Sequence, residues 1–382
     1  MSAAPDRSGP AVDVALFVPS LVGGGAERVI VDLAAALTRA GHRVELVLAR
    51  AEGAYLTSVP EDVPIVDLRA SRVALALPAL VRYLRRVRPR AVLSTLEHAN
   101  VVTLLAAPFA PATRIVIREA NTSPLDLGAD GVRGRVVGAL MRWLYPRAHA
   151  VVAVSAGVAE ALRTTVGVPA DRIDVIANPV VTERVLAGAQ REPSHPWASD
   201  GGAPLVLGVG RLAPQKGFDV LLRAVARVRA GRRCRLLILG EGDERPALEA
   251  LAEELGIADD VAMPGFDPDP FAAMARADLF VLSSRWEGLP NALIQALALG
   301  TPAVATDCPS GPSEIADEGR FARLVPVDDV AALADAIASA LDDPPPPVDA
   351  AWRARYEPTA VAERYAEVLG LAPADAREGA TS

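Results

Sequence analysis

Lysine is almost absent from this chain of 382 residues: Lys216 is the only one among 39 basic side chains. Cysteine is nearly as scarce. Cys234 and Cys308 show no metal-type spacing and cannot build a disulfide framework, which fits a reducing cytosol. Aromatic residues make up 4% of the sequence, too few for the stacked basic surface of a nucleic-acid binder. Long apolar runs are missing as well. "VVTLLAAPFAPA" is among the longest, short of the ~18 residues a membrane span needs. Asp6 and Asp13 interrupt the start, so no secretory leader is expected there.

What is present is a globular composition, 51% apolar and 23% charged, in a chain too long for one ordinary core. Two domains are therefore expected. The net charge of -8 is unevenly spread: residues 1–200 carry 22 basic against 19 acidic side chains, giving +3, and the remainder carries -11. The halves therefore differ in the partners they could attract.

Short β-branched runs alternate with helical patterns almost throughout. "VDVALFV", "RVELVLA", "VPIVDL", "AVLST", "RIVIRE", "AVVAVS" and "IDVIAN" are strand candidates in the first half, and "PLVLGVG", "RLLILG", "DVAMPG", "DLFVLS" and "PAVAT" in the second. Between the first two lies "AERVIVDLAAALTRAG", a helix closed by Gly41. Alternation of this kind means right-handed βαβ units and parallel sheets covered on both faces. The fold class is α/β, with two facing Rossmann-like doubly wound domains. The polar segment "AGAQREPSHPWASDGGAP" reads as a linker and "DDPPPP" as a second break. The expected division is 1–187, a linker at 188–203, 204–348, and a helical segment at 349–382 that packs back across the cleft and ends in a disordered tail. Ligands of such sheets bind beyond the carboxyl ends of the strands, so the loops there carry the function.

Three loops could hold a phosphate. In "PSLVGGGAERV", Gly23, Gly24 and Gly25 leave backbone bare before a helix N-terminus, which favours an anion; a tight strand-to-helix turn would use the same glycines. "GVGRLA" formally fits the dinucleotide fingerprint, but Pro214 and Gln215–Gly217 separate it from its helix and no acid stands at the required distance. An NAD-dependent oxidoreductase is the runner-up on this motif. The loop offers instead Arg211 and Lys216, a planar fork and a point charge suited to a diphosphate. In "SSRWEGLPNALIQALALGTPAVATDCPSGPSEI", Pro290 sits where a helix would start, and free amides near Leu289–Ala292 could face an anion beside an exposed Trp286–Glu287.

Together these loops resemble the retaining glycosyltransferases of family GT4, which have the GT-B fold. The similarity extends over nearly the whole chain: "GGAER", "VAVSAGVAEAL", "VIANPV", "GVGRLAPQKGFDVLLRA", "LLILGEGDE", "PGF" and "ADLFVLSSRWEGLPNALIQALALGTPAVATDCPSGPSEI". The resemblance implies that Arg211 and Lys216 hold the donor diphosphate and that Glu287, the first glutamate of the E-x7-E motif, lies at the donor sugar. It implies further donor contacts from Gly24, Gly25, Gly265, Phe266, Gly288, Leu289, Pro290 and Asn291. The second glutamate of the motif, a ribose ligand, is replaced by Gln295. Many relatives carry a histidine after the fifth strand; here "VIREANTS" gives Arg118 and Glu119, which with His98 are the acceptor-side candidates. A strand-end histidine such as His98 is also commonly structural.

The family needs no pair of flanking carboxylates of the glycosidase type. Its leaving group is a nucleoside diphosphate, and catalysis rests on preorganised positive charge around it. No cofactor and no metal are expected, and Asp267–Asp269, which mimics a metal-binding D-x-D, reads as a solvated turn. The expected partners are a nucleotide-sugar donor, UDP by preference, and a glycan or lipid-linked acceptor. "VRYLRRVRPR" and "GVRGRVVGALMRWLYPR" set arginines beside apolar residues, which suits an anionic membrane surface and equally suits two ordinary surface helices. The protein is expected in the cytoplasm, with possible peripheral contact at the membrane. A nucleotide-sugar epimerase, a sugar phosphorylase and an inactive nucleotide-sugar-binding module are the remaining alternatives.

Overall fold

A computed structural model describes residues 12–22, 24–121 and 131–371. The chain divides into two compact units, Met1–Pro179 with Glu357–Ser382, and Val180–Tyr356. The first holds β1 (Val14–Val18), β2 (Val44–Leu48), β3 (Ile65–Asp67), β4 (Ala91–Thr95), β5 (Arg114–Glu119), β6 (Ala150–Ala153) and β7 (Ile173–Val175). They form one parallel sheet in the order β3-β2-β1-β4-β5-β6-β7. The central strands are apolar at nearly every position because helices cover both faces; all five residues of β1 are buried.

The second unit holds β8 (Leu205–Val209), β9 (Arg235–Leu239), β10 (Val261–Gly265), β11 (Leu279–Leu282), β12 (Ala303–Thr306) and β13 (Ala322–Val325), ordered β10-β9-β8-β11-β12-β13. β13 is absent from the strand candidates of the sequence. It is a sheet edge with Arg323 at its centre, paired only with β12, so no clean apolar run announces it. In each sheet the strand order reverses once, between β1 and β4 and between β8 and β11. Loops that leave two such neighbouring strands diverge and open a crevice at the carboxyl ends.

The chain enters the second unit at Val180, ahead of the linker read at 188–203. Helix Glu183–Gly188 packs there against helix Phe271–Arg276, and Arg191 and Ser194 bond Asp269 and Asp267 at 2.5 and 2.6 Å. The return comes at Glu357, because Trp352 is buried in the second unit and its Nε1 donates to the Ile315 carbonyl at 2.7 Å. Helix Pro358–Leu369 then rejoins the first unit. It lies on helix Gly25–Arg39 and adds Val361, Tyr365 and Leu369 to that core. Arg114 fixes it further by donating from Nε to the Val368 carbonyl at 2.7 Å. The tail expected to be disordered, 372–382, lies outside the described residues.

Candidate active site

The two loops that flank the reversal point of the second sheet carry Lys216 and Glu287. After β8 the chain runs through Gly210 and Arg211 into a 3-10 turn, Pro214–Lys216, and then helix Phe218–Arg229 begins. The intervening turn is why the dinucleotide fingerprint fails here: its glycines do not open the helix. Gly217 is required twice over. Its φ is +59°, and a Cβ there would fall 2.2 Å from the Ser283 carbonyl oxygen at the end of β11. The Lys216 stem lies along the bare backbone of Gly210, where an added Cβ would stand 3.3 Å from Cδ and Cε.

Lys216 Nζ donates to Glu287 Oε1 at 2.5 Å, and Ser284 Oγ donates to the same oxygen at 2.7 Å. The side chains are 21% and 8% exposed respectively. One expectation is corrected by this geometry: Glu287 is buried because the two loops close over it, with Trp286 half-buried beside it. Arg211 is exposed and forms no ion pair among the described residues.

The loops are joined independently of that pair. Ser283 Oγ donates to the Lys216 carbonyl at 2.8 Å, Gln215 Nε2 to the Trp286 carbonyl at 2.9 Å, and the Arg285 amide to the Gln215 carbonyl at 2.8 Å. Arg285 adds Asp219, Asp328 and the Pro214 carbonyl, and the hydrogen bond to Asp219 raises its already high pKa. Nothing about Arg285 or the serines stands out in the sequence, since a polar loop looks alike whether its side chains face solvent or each other.

Gly288, Leu289 and Pro290 are buried, and helix Asn291–Ala298 begins after Pro290, one residue later than the proline suggests. Ser310 Oγ donates to the Gly288 carbonyl at 2.9 Å, and Gly311, at φ +93°, leaves room for Pro290 Cδ. The "CPSGP" stretch thus props up the loop that precedes the helix. Gln295 follows one turn in and is half-buried. Gly265 ends β10 at φ +115°, and Phe266 after it is 60% exposed. Burial, then the charge of Glu287, pushes the Cys308 thiol up to about 12, so it is inert. Asp267–Asp269 is a partly exposed turn whose carboxylates have partners within the chain: Asp267 accepts from the Asp269 amide at 2.8 Å and from Ser194 Oγ, and Asp269 accepts from Arg191.

In the first unit, Gly24 and Gly25 are exposed at the start of helix Gly25–Arg39, and Gly23 lies outside the described residues. A Cβ on Gly24 would sit 2.2 Å from a Glu27 carboxylate oxygen, so Glu27 lies over the bare backbone. His98 is the second residue of helix Glu97–Ala106, which follows β4. Leu96 ahead of it has φ +73°, a strained value for a branched residue, and His98 Nδ1 lies 3.2 Å from Glu97 Oε1.

Arg118 and Glu119 are not presented to solvent. Arg118 is fully buried on β5, donating to Thr95 Oγ1 at 2.9 Å and Asn178 Oδ1 at 2.6 Å. Glu119 is 2% exposed and accepts from the Tyr145 hydroxyl at 3.0 Å. Asn100 Nδ2 donates to that hydroxyl at 3.3 Å and to the Arg118 carbonyl at 3.0 Å. Burial, reinforced by the charge of Glu97, pushes the Glu119 carboxyl up to about 7. They sit one strand away from the reversal point, where the neighbouring helices cover the strand end. As acceptor contacts they are therefore set aside; His98, 42% exposed, is the remaining candidate.

Residues 203–343 match the profile of the Glycosyl transferases group 1, and residues 23–184 match Glycosyltransferase Family 4. N-acetylgalactosamine-N,N'-diacetylbacillosaminyl-diphospho-undecaprenol 4-alpha-N-acetylgalactosaminyltransferase of Campylobacter jejuni is 29% identical over 342 residues, 86% of this chain and 90% of that protein. The lipopolysaccharide core biosynthesis glycosyltransferase LpsE of Rhizobium meliloti is 35% identical over 171 residues, 45% of this chain and 48% of its own length. Among solved structures, Anabaena HepE in complex with UDP and glucose superposes with a TM-score of 0.77 at 21% identity, covering 94% of this chain and 99% of that one.

Proposed function

The chain belongs to the family 4 glycosyltransferases, and from that premise we propose that it moves a hexose-type sugar from a UDP-linked donor to a glycan or lipid-linked acceptor, with retention of configuration. The observation that carries this reading is the meeting of Lys216 and Glu287 at the reversal point of the second sheet. A cation for a phosphate and a carboxylate for sugar hydroxyls stand there side by side, ahead of a helix N-terminus. The bond from the anomeric carbon to the diphosphate oxygen breaks, and its electron pair leaves with the phosphate. The acceptor oxygen bonds to the same face of that carbon and passes its proton to the departing phosphate. Lys216, Arg211 and the amides around Leu289–Asn291 stabilise the charge that builds on the leaving group. We assign the donor no cofactor role and no metal partner, so turnover is expected to survive EDTA.

The UDP in the HepE structure and the undecaprenol-linked substrate in the Campylobacter name support the donor and acceptor classes. Assembly of a surface polysaccharide or lipopolysaccharide fits the same relatives. No helix among the described residues is long and apolar enough to cross a membrane. Val136 and Trp143 are each 54% exposed on helix Gly131–Leu144, with Arg135 and Arg142 exposed beside them, which supports peripheral contact with anionic lipid. The deciding experiment is a thermal-shift panel of UDP, GDP and ADP sugars followed by transfer assays. A donor at ~100 times its dissociation constant adds roughly 2.7 kcal/mol; no stabilisation by any of them would sink the reading.

A further inference from the structure

We propose that Glu287, by holding Lys216 in an ion pair, makes the site discriminate between the nucleotide sugar and the nucleoside diphosphate that transfer leaves behind. The inference rests on the donor reading above and adds to it a selectivity between substrate and product.

Three observations lead there. The pair is tight and largely shielded, with Nζ at 2.5 Å from Oε1 and the carboxylate 8% exposed, so its attraction is little screened by salt. It is also dispensable for joining the loops, which are already held by Ser283 to Lys216, Gln215 to Trp286 and Arg285 to Gln215. Finally, Ser284 donates to the same carboxylate oxygen, so Glu287 keeps a partner and its position when Lys216 turns away.

A phosphate reaching for Lys216 must draw it from a carboxylate that stays behind. A nucleotide sugar compensates Glu287, because its sugar hydroxyls can donate where the ammonium did. A nucleoside diphosphate brings no such hydroxyl. Its terminal phosphate is no longer esterified and carries roughly one more negative charge, set beside Glu287. The carboxylate therefore disfavours the product more than the substrate, which is how repulsion creates selectivity.

The test is calorimetric binding of UDP, GDP and ADP and of the matching monophosphates to the whole chain, as the natural sequence and as Glu287→Gln. For the nucleoside that binds, the second phosphate is expected to improve affinity by less than about tenfold in the natural sequence. In Glu287→Gln the diphosphate is expected to bind at least about fivefold tighter, with the monophosphate unchanged within about twofold. Retained monophosphate binding shows that the variant is folded at the site. A diphosphate affinity that is unchanged or weaker in that folded variant overturns the proposal. So does a tenfold or larger preference for the diphosphate in the natural sequence, a measurement that needs no variant. If none of the six nucleotides binds, it is the donor reading itself that falls, and this inference with it.

Discussion

The two units share one topology and use it differently. In the second, the loops at the strand-order reversal hold Lys216 and Glu287, charged, partly reachable and joined to each other. In the first, the corresponding loops hold exposed glycines under Glu27 and the strained Leu96 before His98. Arg118 and Glu119 lie one strand over and are sealed inside. The residue types are alike and all stand at or after strand ends. What separates them is burial combined with partners. A carboxylate opposite an ammonium at the rim of a crevice can exchange that partner for a ligand, whereas a guanidinium spent on Thr95 and Asn178 cannot. The first unit therefore seals Arg118 and Glu119 in its core, and the second keeps Lys216 and Glu287 partly within reach of solvent.

The sharpest way to break that contrast is at Lys216. Lys216→Ala is expected to lower turnover by roughly 100-fold to 1,000-fold, the range for removing one preorganised donor to a developing anion. Lys216→Arg is expected to lose most activity too. A wide, rigid fork spreads the charge that the compact ammonium brings to a single point at Glu287. Steady-state rates on the identified donor decide this. Intact turnover in Lys216→Ala would remove it from the leaving group.

Next in size is Arg118→Met. It deprives buried Asn178 Oδ1 and Thr95 Oγ1 of their donor, at a cost of about 3 kcal/mol, read as a fall of several degrees in melting temperature. Turnover below the melt should change little. An unchanged melt with strongly reduced turnover would mean that Arg118 meets substrate, and the contrast between the units would collapse.

Glu119 sharpens the same contrast through pH. Its folded pKa, about 7, stands above the ordinary 4.5, so the folded protein holds a proton that the unfolded chain has released. Stability then falls as pH rises from 4.5 to about 7 and levels off above, by about 3 kcal/mol in all. Glu119→Gln keeps a carbonyl to accept from Tyr145 and removes the titration. It should flatten the denaturant-measured profile and raise stability at pH 8. A profile unchanged by the substitution would place the titration elsewhere.

How far the sequence foretells this division depends on where a signal comes from. The alternation of β-branched runs and helical stretches anticipates both parallel sheets, because buried strands are apolar at nearly every position. β13 escapes because an edge strand with Arg323 in its middle has no such run. Lys216 stands out by being the one lysine, and Glu287 by its place in a long motif. That Glu287 is buried and already paired is not visible, since it depends on loops more than 60 residues apart being drawn together through Gly217 and Ser283. Arg118 and Glu119 mislead for the converse reason: a charged pair at a strand end looks functional until the covering Asn100, Tyr145 and Asn178 are in place.

Gln295 gives the smallest expected effect and tests the finest claim about the second unit. It stands one turn into helix Asn291–Ala298, half-buried, on the strand-end side that carries Glu287. A neutral amide can hold a ribose hydroxyl, but it lacks the charge assistance a carboxylate would bring, a difference on the order of 1 kcal/mol. Gln295→Ala should therefore raise the donor Michaelis constant by about fivefold with turnover almost unchanged, and Gln295→Glu should lower it. An effect on turnover in place of binding would move Gln295 from the ribose to the reacting sugar. If neither constant shifted, the crevice would end at Asn291 and the helix beyond it would serve only to aim its amides.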